Sequence, residues 1–288
     1  MTRTGYWDTV AESEATDELL TMRDPNQRQV ELHLLDRLVP ACSSLLDVGC
    51  GPGTVTRYLA RSASRVVGMD SSPAMLERAR RTGSGVEWVQ ADILDQQDCA
   101  RLGTFDTVVS VRCLINLPSW RAQEAAIENL ATLTRVGGAC VLIEGWGPGR
   151  RYLNAIRQRV GLDAMPDIKH NLDLEQRVLY ALAEWFEVSQ IRGTGFYDMS
   201  SRVLNALLAG DSEPQYDGAV NRCAAKLEIM ARDELRQAEW LGSRLIAMRL
   251  ERLPTELPIA EEIDDGSRPD SNRPDGSAGV AQLGVVDQ

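Results

Sequence analysis

The amino-acid sequence predicts an α/β protein built on a doubly wound sheet. Two observations predict this fold class. An apolar strand, Leu45-Leu46-Asp47-Val48, breaks directly into a loop at residues 49–54 that has glycine at alternate positions. Further strand-like segments follow in order at residues 65–70, 86–90, 105–111 and 136–144. A glycine loop lets the backbone approach a ligand, and open α/β sheets bind ligands at the carboxyl ends of their strands.

Two acids at strand ends indicate which ligand this loop takes. Glycine spacing alone does not separate the loop from that of a dinucleotide-binding fold. Asp47, which lies directly before the loop, would repel a pyrophosphate but would attract a cationic ligand. S-adenosylmethionine carries an ammonium and a sulfonium group and has no phosphate. Asp70 ends the second strand about 20 residues after the first glycine, the usual distance for a carboxylate that binds a ribose diol.

The glycine loop and its strand resemble the first signature of the class I S-adenosylmethionine-dependent methyltransferases. Three further signatures follow in the family's order, so that the resemblance covers residues 40–145. It implies a seven-stranded, doubly wound, Rossmann-like methyltransferase sheet, with S-adenosyl-L-methionine as the cofactor.

The resemblance also implies roles for residues around the cofactor. It assigns Asp70 to the ribose, Ser71 and Met75 to the surroundings of the adenine, and Asp92 to the adenine amino group. For Asp92 the alternative is a solvated acidic turn. The predicted cofactor site comprises Asp47, Gly49, Cys50, Gly51, Gly53, Asp70, Ser71, Met75, Ala91, Asp92, Ile93 and Val111.

The residues after the fourth strand are candidates for the substrate side, because that strand ends beside the sulfonium of the cofactor. They are Arg112, Cys113, Asn116 and Trp120. Arg112 can bind a carboxylate or phosphate in a forked geometry, or it can form a salt bridge across the end of the sheet. Both interpretations stay open. Arg202 is a second candidate anion ligand.

His170 is one of two histidines and lies in a polar loop after the fifth strand. Histidine is the usual side chain for accepting a proton near neutral pH, so His170 is a candidate general base. An ordinary surface histidine is the alternative. The predicted catalytic residues are therefore His170, Arg112 and Asn116. No metal site is predicted.

Residues 1–253 are predicted to form one domain, in which helices accompany the cofactor-binding half at residues 40–145. Residues 1–40 form an N-terminal helical cap, in which a helix begins at Asp24-Pro25. Tyr6 and Trp7 either reach the mouth of the pocket or pack as a terminal arm. After the fifth strand we predict a loop at residues 145–149, helices at 150–160 and 173–185, a sixth strand at 186–191 and a seventh at 243–250.

A helical insertion separates the sixth and seventh strands. It spans residues 193–243, with helices predicted at residues 201–208 and 219–232. The simplest use of this insertion is a lid or a wall of the substrate site. The alternative is a dimerisation element, which would make the protein a homodimer.

Charge and cysteine usage limit the class of protein. The net charge of −11 argues against nucleic acid, whose binding requires lysine and arginine at the phosphates. Much of the negative charge falls in residues 254–288, an acidic tail that we predict to be disordered. The six cysteines are scattered without a C-x-x-C pair, which is typical of reduced cytoplasmic thiols. We expect neither a leader nor a membrane span.

These observations favour an enzyme that methylates an oxygen or nitrogen of a small molecule without a metal. The Asn/Asp-Pro-Pro-Tyr/Phe segment of several amino-methyltransferases is missing after the fourth strand, where residues 111–116 read Val-Arg-Cys-Leu-Ile-Asn. The alternative is a non-catalytic regulatory or partner subunit that binds the cofactor without using it. A nicotinamide-dependent oxidoreductase is disfavoured by the glycine spacing and by Asp47.

Overall fold

A computed structural model describes residues 3–13, 15–81, 85–230 and 243–254, which contain a seven-stranded mixed sheet in the order β3-β2-β1-β4-β5-β7-β6. The strands are β1 Cys42–Val48, β2 Ala63–Asp70, β3 Glu87–Gln90, β4 Phe105–Val111, β5 Thr134–Gly145, β6 Phe186–Gly193 and β7 Leu245–Arg252. Strands β1 to β5 pair in parallel, whereas β7 runs antiparallel to both β5 and β6. The predicted fold class is confirmed.

Helices cover both faces of the sheet. Those before β4 are α1 Arg3–Ala11, α2 Asp17–Leu20, α3 Pro25–Leu38, α4 Thr54–Leu59, α5 Pro73–Arg81 and α6 Gln96–Leu102. Those after it are α7 Trp120–Leu133, α8 Gly147–Arg159, α9 Val178–Ala183, α10 Gly195–Met199, α11 Asn205–Ala209 and α12 Ala219–Met230. A 3₁₀ turn spans Leu114–Asn116, and a π-helical turn, Ser200–Leu204, joins α10 to α11.

Apolar side chains of the central strands are buried on both faces of the sheet. Leu46 of β1 and Val108 of β4 belong to one apolar cluster, whereas Leu45 and Val109 belong to the other. Successive side chains of a strand point to opposite faces, so a continuous apolar run supplies both clusters. This arrangement fixes the central strands and directs their carboxyl ends to one edge of the sheet.

Helix α3 forms as the sequence predicts. The Asp24 carboxylate accepts a hydrogen bond of 3.0 Å from the Gln27 N–H, and Pro25 occupies the first turn, where its missing N–H costs nothing. The residues that this helix buries include Val30, Leu34, Leu35 and Leu38, all fully buried. The cap and the apolar face therefore together position α3 against the sheet.

Two predicted segments after β5 are wrong. Residues 145–149 are not a loop, because β5 runs to Gly145 and α8 begins at Gly147. The predicted helix at residues 173–185 is reduced to α9. The chain before it pairs with the end of β5, since the Leu174 N–H donates to the Gly145 carbonyl at 2.8 Å and the Leu174 carbonyl accepts from Gly147 at 2.9 Å. The Leu174 carbonyl, which the predicted helix would use, is thus bonded to Gly147 instead.

The insertion is helical over most of its described length. Helices α10 and α11 and the π-helical turn form one stretch that begins earlier than predicted, and α12 is described as far as Met230. Helix α12 packs against α3. Residues 231–242 of the insertion and residues 255–288 of the predicted acidic tail lie outside the described residues.

Candidate active site

A cavity of about 1000 Å³ lies at the carboxyl ends of the central strands. It is lined by most of the predicted cofactor residues and by the three predicted catalytic residues, Arg112, Asn116 and His170. The cofactor residues that line it are Asp47, Gly49, Cys50, Gly51, Asp70, Ser71, Met75, Ala91, Asp92, Ile93 and Val111. The structure therefore brings together residues that are distant in the sequence.

The loop after β1 is tied to the end of β2 by backbone hydrogen bonds. The N–H groups of Gly49 and Cys50 both donate to the Met69 carbonyl at 2.9 Å. Gly49 has a φ of 72°, and a Cβ there would lie 2.6 Å from the Cys113 Sγ. Both the backbone conformation and the close approach of Cys113 therefore require glycine.

Gly53 is the predicted cofactor residue that does not line the cavity. It precedes α4 with a φ of 82°, and a Cβ there would collide with the ring of Trp88. Its contacts show a role in the turn and in packing.

Asp70 is held in place by the loop that it adjoins. One of its carboxylate oxygens accepts from the Gly51 N–H at 2.8 Å, and the other accepts from the Ser72 N–H at 2.9 Å. The Ser72 hydroxyl caps α5 by accepting from the Met75 N–H at 3.1 Å. The carboxylate therefore has a fixed position on the cavity wall.

Asp47 is a buried carboxyl that also lines the cavity. It accepts a hydrogen bond of 2.6 Å from the Thr56 hydroxyl. Burial raises the pKa of Asp47 to about 7, and the hydrogen bond from Thr56 opposes this shift. A carboxyl with this pKa ionises readily when a cationic group binds beside it, so Asp47 fits the ammonium of S-adenosylmethionine.

The wall beyond β2 and β3 combines apolar side chains with one acid. Met75, Ala91 and Ile93 are buried and line the cavity, which suits a flat aromatic ring. The Asp92 carboxylate accepts from the Leu94 N–H at 3.0 Å. Asp92 is thus fixed at the cavity rather than lying on a turn away from it.

Arg112 lies directly after β4 in an unusual backbone conformation. Its φ of 54° is the one positive value among the described residues other than glycine. The Asn116 side chain donates to the Arg112 carbonyl at 2.6 Å, which holds this conformation. Its guanidinium lines the cavity, donates to the Thr21 carbonyl at 3.0 Å and lies 3.7 Å from Glu31. Burial lowers the pKa of Arg112 to about 10.

Glu144, at the end of β5, positions the segment that carries Arg112. Its carboxylate accepts from the N–H groups of Cys113, Leu114 and Ile115 at 3.0 to 3.2 Å, and from the Ser110 hydroxyl at 3.1 Å. Burial raises the pKa of Glu144 to about 7, while these hydrogen bonds lower it. Glu144 is the last residue of the predicted fifth strand, and this position was the one feature of the sequence that indicated such a role.

His170 contacts the N-terminal helix at the cavity. Its ring centroid lies 4.7 Å from that of Tyr6 and 5.5 Å from that of Trp7, and all three residues line the cavity. Partial burial lowers the pKa of His170 below its ordinary value of 6.5. Trp120, by contrast, does not line the cavity and lies under the guanidinium of Arg177 at 4.5 Å.

Six further arginines line the cavity with Arg112, namely Arg23, Arg28, Arg150, Arg157, Arg202 and Arg244. Arg202, predicted as a second anion ligand, donates to Asp24 at 2.7 Å and to Gln27 at 2.6 Å. Arg28 and Arg244 also line it, and the sequence analysis did not identify them. Their positions in the sequence gave no signal, because only the folded chain brings them together.

The strand order, the glycine loop after β1 and the acids at the ends of β1 and β2 define a class I, Rossmann-like, S-adenosylmethionine-dependent methyltransferase fold. In agreement, residues 45–138 match the family described as a methyltransferase domain. The chain is 34% identical over 110 residues to the ubiquinone biosynthesis O-methyltransferase of Xanthomonas axonopodis pv. citri, covering 37% of this chain and 44% of that protein. It is 44% identical over 78 residues to the trans-aconitate 2-methyltransferase of Paracidovorax citrulli, covering 26% and 30%.

Solved structures show the same fold. The N-methyltransferase NodS of Bradyrhizobium japonicum, in complex with S-adenosyl-L-homocysteine, aligns over 88% of this chain and all of its own at 16% identity, with a TM-score of 0.52. A methyltransferase from Anabaena variabilis aligns over 86% of this chain and 93% of its own at 14% identity, with a TM-score of 0.55. By sequence, however, the chain spans less than half the length of the two curated relatives named above. Among the described residues, none of the helices is both long and apolar enough to cross a membrane.

Proposed function

We propose that this protein transfers the methyl group of S-adenosyl-L-methionine to an oxygen or nitrogen of a small molecule in the cytoplasm. One observation carries the proposal: the carboxyls of Asp47 and Asp70 flank the glycine loop in the same cavity as Arg112 and His170. A cavity with this composition has places for a cationic cofactor and for a second, smaller ligand. The six cysteines are free thiols, which supports the cytoplasmic location.

The cofactor residues would have separate roles. Asp70 accepts hydrogen bonds from the ribose hydroxyls, and Asp47 pairs with the ammonium group. Met75 and Ile93 pack against the adenine, and Asp92 accepts from its amino group. When bound, the cofactor supplies an electrophilic methyl group at its sulfonium.

The chain itself would contribute alignment, exclusion of water and, for some substrates, a base. Methyl transfer is an in-line displacement, so holding the nucleophile against the methyl group accounts for much of the rate. Arg112 and Asn116 would position the acceptor from the segment after β4. His170 would remove a proton from a hydroxyl acceptor, whereas a carboxylate or a neutral amine needs no base.

We also propose that residues 1–253 act as one domain, with residues 193–243 as a lid. Support comes from Ser201, Arg202 and Ala206 of the insertion, which line the cavity. The helical cap at residues 1–40 contributes Tyr6 and Trp7 to the same cavity. Cap and insertion together would close over the bound ligands.

The test is a methyl-transfer screen. The protein is incubated with S-adenosylmethionine carrying an isotopically labelled methyl group and with a small-molecule extract, and labelled products are identified by mass spectrometry. We expect a labelled product that disappears in the Asp70→Ala variant. Cofactor binding without any labelled product would instead favour the non-catalytic regulatory or partner subunit.

A further inference from the structure

Seven arginines line the cavity, and four of them, which we term the arginine group, share partners in pairs: two contact Glu31 and two contact Gln27. They come from α3, from the end of β4, from the π-helical turn and from the segment just before β7. The members are Arg28, Arg112, Arg202 and Arg244. These arginines are far apart in the sequence, and the fold brings them together at the cavity.

The carboxylates that pair with this group lie mostly behind it. Glu31 pairs with Arg28 at 3.1 Å and with Arg112 at 3.7 Å, so that one carboxylate serves two guanidinium groups. Glu31 is fully buried and is not among the residues that line the cavity. Both arginines therefore line the cavity, while the carboxylate that they share stays in the interior.

The two remaining members pair with one carboxylate each. Arg202 pairs with Asp24 at 2.7 Å, and Arg244 lies 3.6 Å from Asp198, which is fully buried. Within the described part of the chain, three carboxylates therefore form ion pairs with the four guanidinium groups.

The hydrogen-bonding capacity of the group is also incompletely used. The Nε donors of Arg28, Arg112 and Arg244 make no hydrogen bond with the described residues, and those of Arg112 and Arg244 lie 3.7 and 3.6 Å from the carboxylates of Glu31 and Asp198. A donor without a hydrogen bond costs free energy, which a ligand that accepts the bond recovers. Burial lowers the pKa of Arg244, and the neighbouring charge of Arg202 lowers it further.

We infer that the arginine group binds a carboxylate of the methyl acceptor, so that the substrate is a carboxylate-bearing small molecule. The inference rests on the proposed function and adds the class of substrate to it. The planar guanidinium fork matches the two oxygens of a carboxylate, and phosphate is the competing anion that the binding experiment below separates from it.

The first experiment divides the small-molecule extract on an anion exchanger at pH 7 before the labelled cofactor is added. We expect the labelled product to arise from the retained, anionic fraction. A product that arises only from the unretained fraction overturns the inference and leaves methyl transfer intact. If neither fraction is labelled, methyl transfer itself is contradicted, and the binding experiment below decides the inference separately.

The second experiment measures binding instead of activity. Sodium benzoate and its neutral amide, benzamide, are titrated at constant ionic strength into the protein, with and without S-adenosylhomocysteine, while the melting temperature is followed. We expect benzoate to stabilise the protein and benzamide to leave the melting temperature unchanged. Inorganic phosphate serves as the third probe, and phosphate binding tighter than that of benzoate overturns the carboxylate assignment.

Variants attribute the binding to the arginine group. Arg112→Gln and Arg244→Gln should each weaken benzoate binding by at least about tenfold, the effect of losing a charged hydrogen bond. Arg249→Gln is the matched control, because the Arg249 Nε is likewise buried without a hydrogen-bond partner but the residue does not line the cavity. Equal binding of benzoate and benzamide, no benzoate binding at its solubility limit, or wild-type affinity in both test variants overturns the inference. If a variant fails to fold, the titrations of the wild-type protein with benzoate, benzamide and phosphate still test the inference.

Discussion

At the scale of single residues, the cavity holds carboxyls whose environments differ although their chemistry is the same. Asp70 is fixed by two backbone N–H groups, whereas Asp47 is buried with one hydroxyl partner and has its pKa raised to about 7. Glu144 reaches a similar pKa but lies outside the cavity and organises backbone. Among these three, Asp47 is the carboxyl that lines the cavity and titrates near neutral pH.

Cofactor affinity should therefore depend on pH through Asp47. Without ligand, Asp47 is protonated below about 7, and a cationic ligand favours its ionised form. Affinity for S-adenosylhomocysteine should rise with pH, by up to about tenfold per unit below the pKa, and level off above it. Calorimetry from about pH 5.5 to about pH 7.5, a range that spans the pKa of Asp47, measures this dependence. Asp47→Asn should abolish the rise, and a wild-type affinity that is constant over this range would contradict the role.

His170 gives a second residue-level prediction if the acceptor is a hydroxyl. Its pKa is lowered by burial, so the neutral, proton-accepting form prevails at pH 7, and the rate should rise with pH through a value below 6.5. His170→Ala should lower turnover by about 10²–10⁴-fold, the usual contribution of a general base, with unchanged affinity for S-adenosylhomocysteine. His33→Ala on α3 is the control. Near-normal turnover of His170→Ala at saturating substrate would remove His170 from the mechanism.

At the scale of elements, the glycine loop and the insertion form two sides of the site. The loop connects β1 to β2 through backbone bonds and leaves no room for a side chain at Gly49. The insertion contributes cavity residues from the π-helical turn and from α11. Backbone hydrogen bonds hold the glycine loop in place, whereas the insertion is the proposed lid.

Gly49→Ala tests the loop against a matched glycine. Gly137 has a φ of 70°, close to that of Gly49, but no described atom lies within 4 Å of a Cβ built there. Gly137→Ala should cost about 1–2 kcal/mol from the backbone alone, without changing the affinity for S-adenosylhomocysteine. Gly49→Ala should cost more and should weaken that affinity, because its Cβ meets Cys113. Urea unfolding measures the loss of stability, and calorimetry measures the affinity for S-adenosylhomocysteine. Equal effects of the two variants would contradict the close-packing argument.

Backbone hydrogen exchange tests the insertion. If helices α10 to α12 cover the cavity, S-adenosylhomocysteine with substrate should slow their exchange, because closure orders the segment. Helix α7 provides the internal reference, since it packs in the core away from the cavity. Protection that depends on protein concentration and ignores ligand would favour the dimerisation element instead.

At the scale of the whole molecule, the parts that follow local patterns were predictable, and those that depend on long-range pairing were not. Strand β4 matches its predicted bounds, because a buried parallel strand is a short apolar run. The segment around Leu174 was mispredicted as helix, because its backbone pairs with β5. The meeting of the glycine loop and the strand-end acids in one cavity was predictable from local signatures and their spacing. The arginine group was not, because Arg28 and Arg244 meet only through the fold.

The central claim, that the cavity binds S-adenosylmethionine through the glycine loop and its flanking acids, is tested most directly by calorimetry with S-adenosylhomocysteine and with NAD. We predict that the protein binds S-adenosylhomocysteine and not NAD. Asp70→Ala should weaken that binding by about 1.5–3 kcal/mol, the range for hydrogen bonds to a charged group, whereas Asp163→Asn at an exposed position should not change it. Unchanged affinity in Asp70→Ala, or tight binding of NAD by the wild-type protein, would contradict the account.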